Sequence, residues 1–217
     1  MKSLSLPAMM RNEFCTLLLV SLLCGCLSCG KKAPGGEFRL PSERLAEGDV
    51  VFRRGMGLMS RVVVATGDGG GTYSHVGILK RMDSAWCVVH AVPDEPEFDG
   101  DVDRVKVEPL TSFFAPNRAV RGAVMRLADD SLAARRAAAE ALRVAERGTL
   151  FDHRYDLADT TRMYCTELVD YAYRKAGVSL SEGRVSRLDV PVFGGTYLLP
   201  DDLAANRRLT VVYQFTR

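Results

Sequence analysis

Two runs of seven residues, 74–80 (SHVGILK) and 86–92 (WCVVHAV), are rich in β-branched side chains and are separated only by the polar stretch 81–85. Segments of that length and make-up, joined by so short a connection, read as an antiparallel hairpin. An isolated hairpin has too little to bury, so the remaining chain must extend the sheet and cover it. Residues 49–53, 102–107, 123–127 and 209–215 are strand-like, and the apolar LMSRVVVAT inside the glycine-rich stretch 55–71 reads as a short helix. Two further helices are stronger. Residues 131–147 are rich in Ala, Leu, Arg and Glu, with Asp129 or Asp130 available as cap and Gly148 as stop. Residues 163–176, closed by Gly177, carry apolar or small residues at 165, 168, 169, 172 and 176, one buried helical face. The class is α+β, an antiparallel sheet packed against a helix that carries Cys165 at its N-terminus.

The hairpin also places chemistry. The chain has only three His. If the turn is symmetric about Met82-Asp83, His75 lies directly opposite His90, Cβ atoms roughly 4.5–5.5 Å apart, on the face shared with Gly77 and Leu79. A one-residue slip would put the two rings on opposite faces. Gly77, lacking a side chain, would leave room for a helix or ligand beside the imidazole. Such a pair suits a base with its orienting partner, or two metal ligands. Cys165 sits where the positive end of a helix dipole and free N–H groups would lower a thiol pKa and could serve an oxyanion. The alternative is a small buried hydrophobe. His153, in the polar segment 151–156, reads as a loop or rim residue, and Glu167 falls off the buried stripe as a helix-stabilising or supporting group.

The front of the chain is an address. Residues 14–23 are apolar, preceded by Lys2 and Arg11; they are too few to span a bilayer, which needs about 20, but fit a secretory signal. Leu23-Cys24-Gly25-Cys26 resembles a bacterial lipobox, which implies lipidation at Cys26, with Cys29 a weaker rival and an ordinary cleaved signal the alternative. The expected division is a signal at 1–25, a lipidated tether at 26–41 rich in Gly, Pro and charge, and one domain at 42–217, held by its lipid to a membrane of the cell envelope, facing the periplasm or the exterior. With 29 Lys+Arg against 27 Asp+Glu and no basic stripe, the composition excludes a dedicated nucleic-acid binder.

Gly48-Asp49-Val50-Val51-Phe52, Tyr73-Ser74-His75-Val76-Gly77-Ile78, Tyr164-Cys165-Thr166-Glu167-Leu168-Val169 and Leu199-Pro200-Asp201-Asp202-Leu203 occur in that order. Together they resemble the YiiX/YaeF group of permuted papain-like cysteine hydrolases within the NlpC-type superfamily. His preceding Cys is the order a circular permutation of papain produces. The resemblance implies a thiol nucleophile at Cys165, a general base at His75 and a third polar residue on the next strand, where the group commonly has Glu and this chain has His90. A neutral imidazole would hold an imidazolium less firmly than a carboxylate does. Tyr73, Tyr164 and Glu167 flank the motif residues as candidates for substrate contact or support.

The function expected is a membrane-tethered thiol hydrolase that cleaves amide bonds through a thioester acyl-enzyme, without a cofactor or metal, on peptidoglycan peptides or N-acylated amino compounds. The alternatives are a lipid acyltransferase or thioesterase of the lecithin:retinol acyltransferase type, and a non-catalytic zinc-binding lipoprotein using Cys165, His75 and His90. Residues 67–71 (GDGGG) lack the Lys-Ser/Thr of a phosphate loop and read as a loop bordering the cleft. The acidic stretch 94–103 reads as solvated rather than calcium-binding, and Cys87 as packing.

Overall fold

A computed structural model describes residues 40–66, 70–188 and 194–217. Cys26, Cys29, the leader and Gly67 to Gly69 of the glycine run lie outside the described residues. The hairpin is formed by β2 (His75–Met82) and β3 (Ala85–Val92), but its register differs from the symmetric one. Leu79 pairs with Val88 and Met82 with Ala85, so the turn is centred on Asp83-Ser84. Asp83 takes φ 50°, the left-handed conformation that tight hairpin turns demand and that Asp tolerates better than Met. The shift is by two residues, so the faces are kept. His75 and His90 share a face but are diagonal neighbours, and Gly77 is the residue opposite His90.

The sheet grows outward from this hairpin. β1 (Val50–Arg54) pairs with β2 on one side and with β5 (Arg121–Leu127) on the other, while β10 (Leu209–Thr216) closes that edge. On the far side β3 pairs with β4 (Arg104–Pro109), followed by the two-residue strands β6 (Leu150–Phe151) and β7 (Arg162–Met163). The order is β10-β5-β1-β2-β3-β4-β6-β7, antiparallel except for the last pair. A separate ribbon, β8 (Ser186–Leu188) with β9 (Gly195–Tyr197), was not anticipated from sequence.

One face of the sheet is covered by α3 (Ser131–Glu146) and α4 (Cys165–Lys175). Asp130 caps α3, its carboxylate accepting from Ala133 N at 2.8 Å, and Gly148 turns the chain away at φ 70°. Asp129 instead pairs with Arg208 at 2.9 Å. The buried stripe of α3 is Ala133, Ala134, Ala137, Ala138, Ala141 and Val144, small enough to let the helix lie close to its neighbours. The approach is closest at Gly48, where a Cβ would come within 2.2 Å of Ala134 O. This accounts for the glycine of the Gly48-Asp49 motif. Asp49, buried, accepts two hydrogen bonds of 2.7 Å from Arg126 on β5 and one of 2.8 Å from Ala46 N.

α4 starts two residues later than its periodicity predicts. Met163 belongs to β7, and Tyr164 is the extended cap residue, φ −96° and ψ 175°. Leu168, Val169 and Ala172 are fully buried, as expected, against Val76, Ile78, Val89 and Ala91. The shorter helices are α1 (Leu58–Thr66), which was expected, and α2 (Leu110–Phe113) and α5 (Pro200–Ala204), which were not. Among the described residues no helix is long and apolar enough to cross a membrane.

Candidate active site

Cys165 is the first residue of α4, half-buried, and lines with His75 a cleft of about 500 Å³. Burial pushes its thiol up to about 11, against the pull of the backbone N–H groups of Val76, Thr166 and Cys165 itself. The helix terminus therefore acts in the expected direction but loses to desolvation, since a helix end contributes only about 0.3–1 kcal/mol near its first turn. A depressed thiol pKa, anticipated from position alone, is not what these surroundings give. Cys165 and His75 share the cleft wall with no hydrogen bond between them among the described residues.

Behind His75 runs a chain of three side chains on three adjacent strands. His75 Nε2 lies 2.8 Å from His90 Nδ1, and His90 Nε2 lies 3.1 Å from Glu108 Oε1. The last contact is short but off the line of a hydrogen bond, and neither atom has a hydrogen-bond partner, although Arg53 Nη1 lies 3.9 Å from Glu108 Oε1. Register explains the geometry. His90 pairs with Lys106, so Glu108, two residues on, is diagonal to His90 just as His75 is. A side chain at Gly77 would prevent this, because its Cβ would sit 2.5 Å from Val88 Cγ1, 2.9 Å from Val89 O and 3.1 Å from His90 Cβ. The room Gly77 leaves is thus filled by His90, not by a helix or ligand. A carboxylate can only accept, so the His90 tautomer that suits its neighbour carries the proton on Nε2, facing Glu108, and accepts at Nδ1 from His75 Nε2–H. That tautomer leaves His75 Nδ1 with a free lone pair.

The histidine pair is enclosed by charge. Arg118 Nη1 bonds Glu108 Oε2 at 2.7 Å and Glu95 Oε2 at 3.0 Å; Arg53 pairs with Glu95, and Lys106 donates to the Glu95 carbonyl. Phe113 of α2 stacks on His75 at 5.6 Å and meets His90 edge-on at 5.4 Å, with the Arg53 guanidinium 4.6 Å above its ring. Desolvation, then Arg53, holds both imidazoles well below the usual histidine range, with Lys106 adding to both, so each is neutral at pH 7. Glu95 corrects the reading of residues 94–103 as wholly solvated, since one of its acids folds back over the buried cations. Arg104 gathers Glu97 and Asp101 at the outer part of that loop.

The other predicted residues fall in different places. Tyr164 lines the cleft, and its hydroxyl accepts from Leu198 N at 3.2 Å while Thr166 Oγ1 donates to Leu198 O at 2.6 Å. The two together clamp the start of α4 to the opposite wall. Tyr73 is packed in the core, its ring 5.2 Å from Phe52 at the entrance to β2, and is not among the residues that line the cleft. Glu167, expected off the buried stripe, is buried, with neither carboxylate oxygen hydrogen-bonded. Burial, then Asp152, Asp159 and Asp156, raises it to about 8. His153 is exposed and pairs with Asp103 at 3.0 Å; Cys87 is half-buried and free. The Leu199–Leu203 motif has a structural use. Asp201 accepts from Thr72 N at 2.7 Å and Tyr73 N at 3.3 Å, fixing the approach to His75, while Asp202 accepts from Leu199 N at 2.7 Å.

Glu108, Arg53, Arg118 and Lys106 are missing from the sequence reading. The signal was present in β4, where charged Arg104, Lys106 and Glu108 alternate with Val105 and Val107, but such a stripe ordinarily marks a solvated face. Lys106 and Glu108 are in fact 4% and 6% exposed.

A cysteine at a helix start beside a histidine relay on an antiparallel sheet, with His before Cys in the chain, defines a papain-like hydrolase in permuted order. Residues 44–213 match the family model described as a permuted papain-like amidase enzyme, YaeF/YiiX, C92 family, and the chain belongs to that family. Its fold is shared with YiiX from Escherichia coli O157:H7, described as a metalloprotein, at 21% identity and a TM-score of 0.64, over 80% of this chain and 99% of that one. No curated protein sequence matches this chain.

Proposed function

We propose that the chain is a lipid-anchored cysteine amidase in which Cys165 is the nucleophile, His75 the base, and His90 with Glu108 the groups that orient and charge-balance it. The observation that carries this is the His75–His90 hydrogen bond of 2.8 Å with the Glu108 carboxyl group 3.1 Å beyond His90, a carboxylate supplied from β4 although the strand after His75 lacks one. The resting pair is neutral thiol and neutral imidazole, so reaction begins with proton transfer. His75 Nδ1 takes the Cys165 proton as sulfur bonds to the amide carbonyl carbon. The resulting oxyanion lies within the field of the Cys165 and Val76 N–H groups. Collapse breaks the C–N bond, His75 returns the proton to the leaving amine, and a thioester remains. Water, deprotonated by His75, then releases the carboxylic acid and restores the thiol. The imidazolium formed in each half-reaction is stabilised through His90 by the Glu108 carboxyl group.

Cys165→Ala should abolish hydrolysis of N-acyl aminomethylcoumarins by the purified full chain, and His75→Ala should lower kcat/KM by roughly 10²–10⁴-fold. Unchanged turnover in Cys165→Ala would overturn the proposal. The zinc reading has less to stand on. His75 and His90 each spend a nitrogen on the other, and no group of three His, Cys, Asp or Glu suited to a metal occurs among the described residues. Stoichiometric zinc in the purified chain, lost together with Cys165, would reverse that judgement. Attachment through Cys26 predicts incorporation of an alkynyl fatty acid that is lost in Cys26→Ser and kept in Cys29→Ser.

A further inference from the structure

Two arginines stand side by side with nothing to neutralise them. Arg54 on β1 is directly paired with Arg121 on β5, which puts their Cβ atoms roughly 4.5–5.5 Å apart on one face, an arrangement that destabilises like charges. The other arginines that the fold partly withholds from water, Arg53, Arg104, Arg118, Arg126, Arg184 and Arg208, each pair with a carboxylate. Arg54 and Arg121 are half-buried too, and among the described residues neither has an acidic partner. Asp201 acts on the neighbouring Tyr73, but its carboxylate is committed to the Thr72 and Tyr73 N–H groups.

Arg121 opens into a pocket of about 390 Å³ lined also by Tyr73, Gly122, Gln214, Phe215 and Thr216. The pocket shares no lining residue with the Cys165 cleft. Its polar wall comes from an irregularity in β10, where Val212 is an extra residue between Val211, opposite Met125, and Tyr213, opposite Val124. Without that bulge Phe215 would oppose Arg121. With it, Thr216 opposes Arg121 and Gln214 follows two residues along the same face. Tyr73 is 7% exposed, and its hydroxyl has no hydrogen-bond partner among the described residues. Burial raises its pKa, so the phenol stays protonated and able to donate.

We infer that this pocket binds a phosphate monoester, held by Arg121 and Arg54 and by the hydroxyls of Tyr73 and Thr216. Guanidinium forks engage phosphate oxygens two at a time. Two fixed positive charges are matched by an ion of about −1.5 to −2, the charge of a phosphate monoester at pH 7; a carboxylate would leave one of them unanswered. The pocket is larger than a phosphate group, which leaves space for the esterified moiety. A soluble phosphate ester and a phosphatidate headgroup offer the same chemistry.

The purified full chain is melted at constant ionic strength in chloride, in millimolar inorganic phosphate and in millimolar glycerol 3-phosphate. Phosphate should raise Tm by several degrees over chloride. Arg54→Gln/Arg121→Gln should abolish that shift while melting no lower than the wild type in chloride, because the like-charge contact is gone. Tyr73→Phe keeps the ring in the core and should weaken phosphate binding about tenfold in titration calorimetry. A larger shift with glycerol 3-phosphate than with inorganic phosphate supports the site and assigns it to a soluble ester. Sedimentation with phosphatidate vesicles but not with phosphatidylcholine vesicles, lost in the arginine variant, supports it and assigns it to a lipid headgroup. Inorganic phosphate binding with neither of these marks an adventitious ion only and sinks the monoester assignment. Equal Tm in chloride and phosphate, or a shift that the arginine variant keeps, overturns the inference. So does an arginine variant that melts well below the wild type in chloride, since the two cations would then already have a partner within the protein.

Discussion

The two faces of β2, β3 and β4 are buried to similar depth by opposite means. One presents Val76, Ile78, Val89, Ala91 and Val105 to α3 and α4, with nothing to satisfy and only shape to match. The other presents His75, His90, Lys106 and Glu108 to α2 and the 93–101 loop, where each polar group depends on a particular partner. An apolar face tolerates error in small steps. A buried ionic face does not, because removing one member leaves another charged and unpaired.

The sharpest way to break the comparison is at Glu108. Glu108→Gln keeps the shape and removes the charge, so Arg118 loses its 2.7 Å partner and His90 its carboxylate. We expect kcat/KM to fall about 10²–10⁴-fold, with a stability loss of roughly 3–5 kcal/mol by urea denaturation. A loss of stability with activity intact would separate the network from catalysis. On the apolar face, Leu168→Ala should cost roughly 2–5 kcal/mol through the cavity it opens, with kcat per folded molecule and its pH dependence unaltered. If Leu168→Ala shifted the pH profile as Glu108→Gln does, the two faces would not be independent.

Gly77→Ala tests the point where both faces meet one strand. The added methyl would press on Val88 Cγ1 and the Val89 carbonyl and crowd His90 Cβ. Overpacking of this kind costs roughly 1–3 kcal/mol, and here the strain falls on the ring hydrogen-bonded to His75. Activity should drop further than stability alone accounts for, and restoring stability with a ligand or osmolyte should not recover it.

These contrasts also mark how far the amino-acid sequence could be read. The apolar face was legible because period-two and period-3.6 patterns report apolar positions directly, hence the strands around His75 and the stripe from Leu168 to Ala172. The faces of His75 and His90 survived a wrong hairpin register because the error was even. The turn was misplaced by taking Met82-Asp83 as its centre, when Asp83 is the residue suited to positive φ. Glu108, Lys106 and Arg118 were illegible for a different reason. A charged residue alternating with valine looks the same whether water or a second layer lies over it, and the covering layer, four residues of α2 and an acidic loop, carries almost no periodicity. Family motifs named Cys165 and His75, but Asp49, Gly48 and Asp201 in those same motifs serve to hold β1, α3 and the His75 approach in place.

One group on the helical side behaves as though it belonged to the other face. Glu167 is buried without a hydrogen-bond partner and surrounded by Asp152, Asp156 and Asp159. Its folded pKa, about 8, lies above the unfolded value of about 4.3. Between these values the folded state keeps a proton the unfolded state has released. Stability must therefore fall as pH rises through this window, by on the order of 1 kcal/mol per pH unit, and level off above pH 8. Glu167→Gln removes the ionisation while keeping the shape, so it should flatten this part of the profile and leave the variant more stable than the wild type at pH 8. Urea titrations of both proteins at pH 5, 6.5 and 8 measure the difference. A wild type no less stable at pH 8 than at pH 5, or a Gln variant that keeps the slope, would mean that Glu167 has a cationic partner in solution and that the helical side is less purely apolar than its packing indicates.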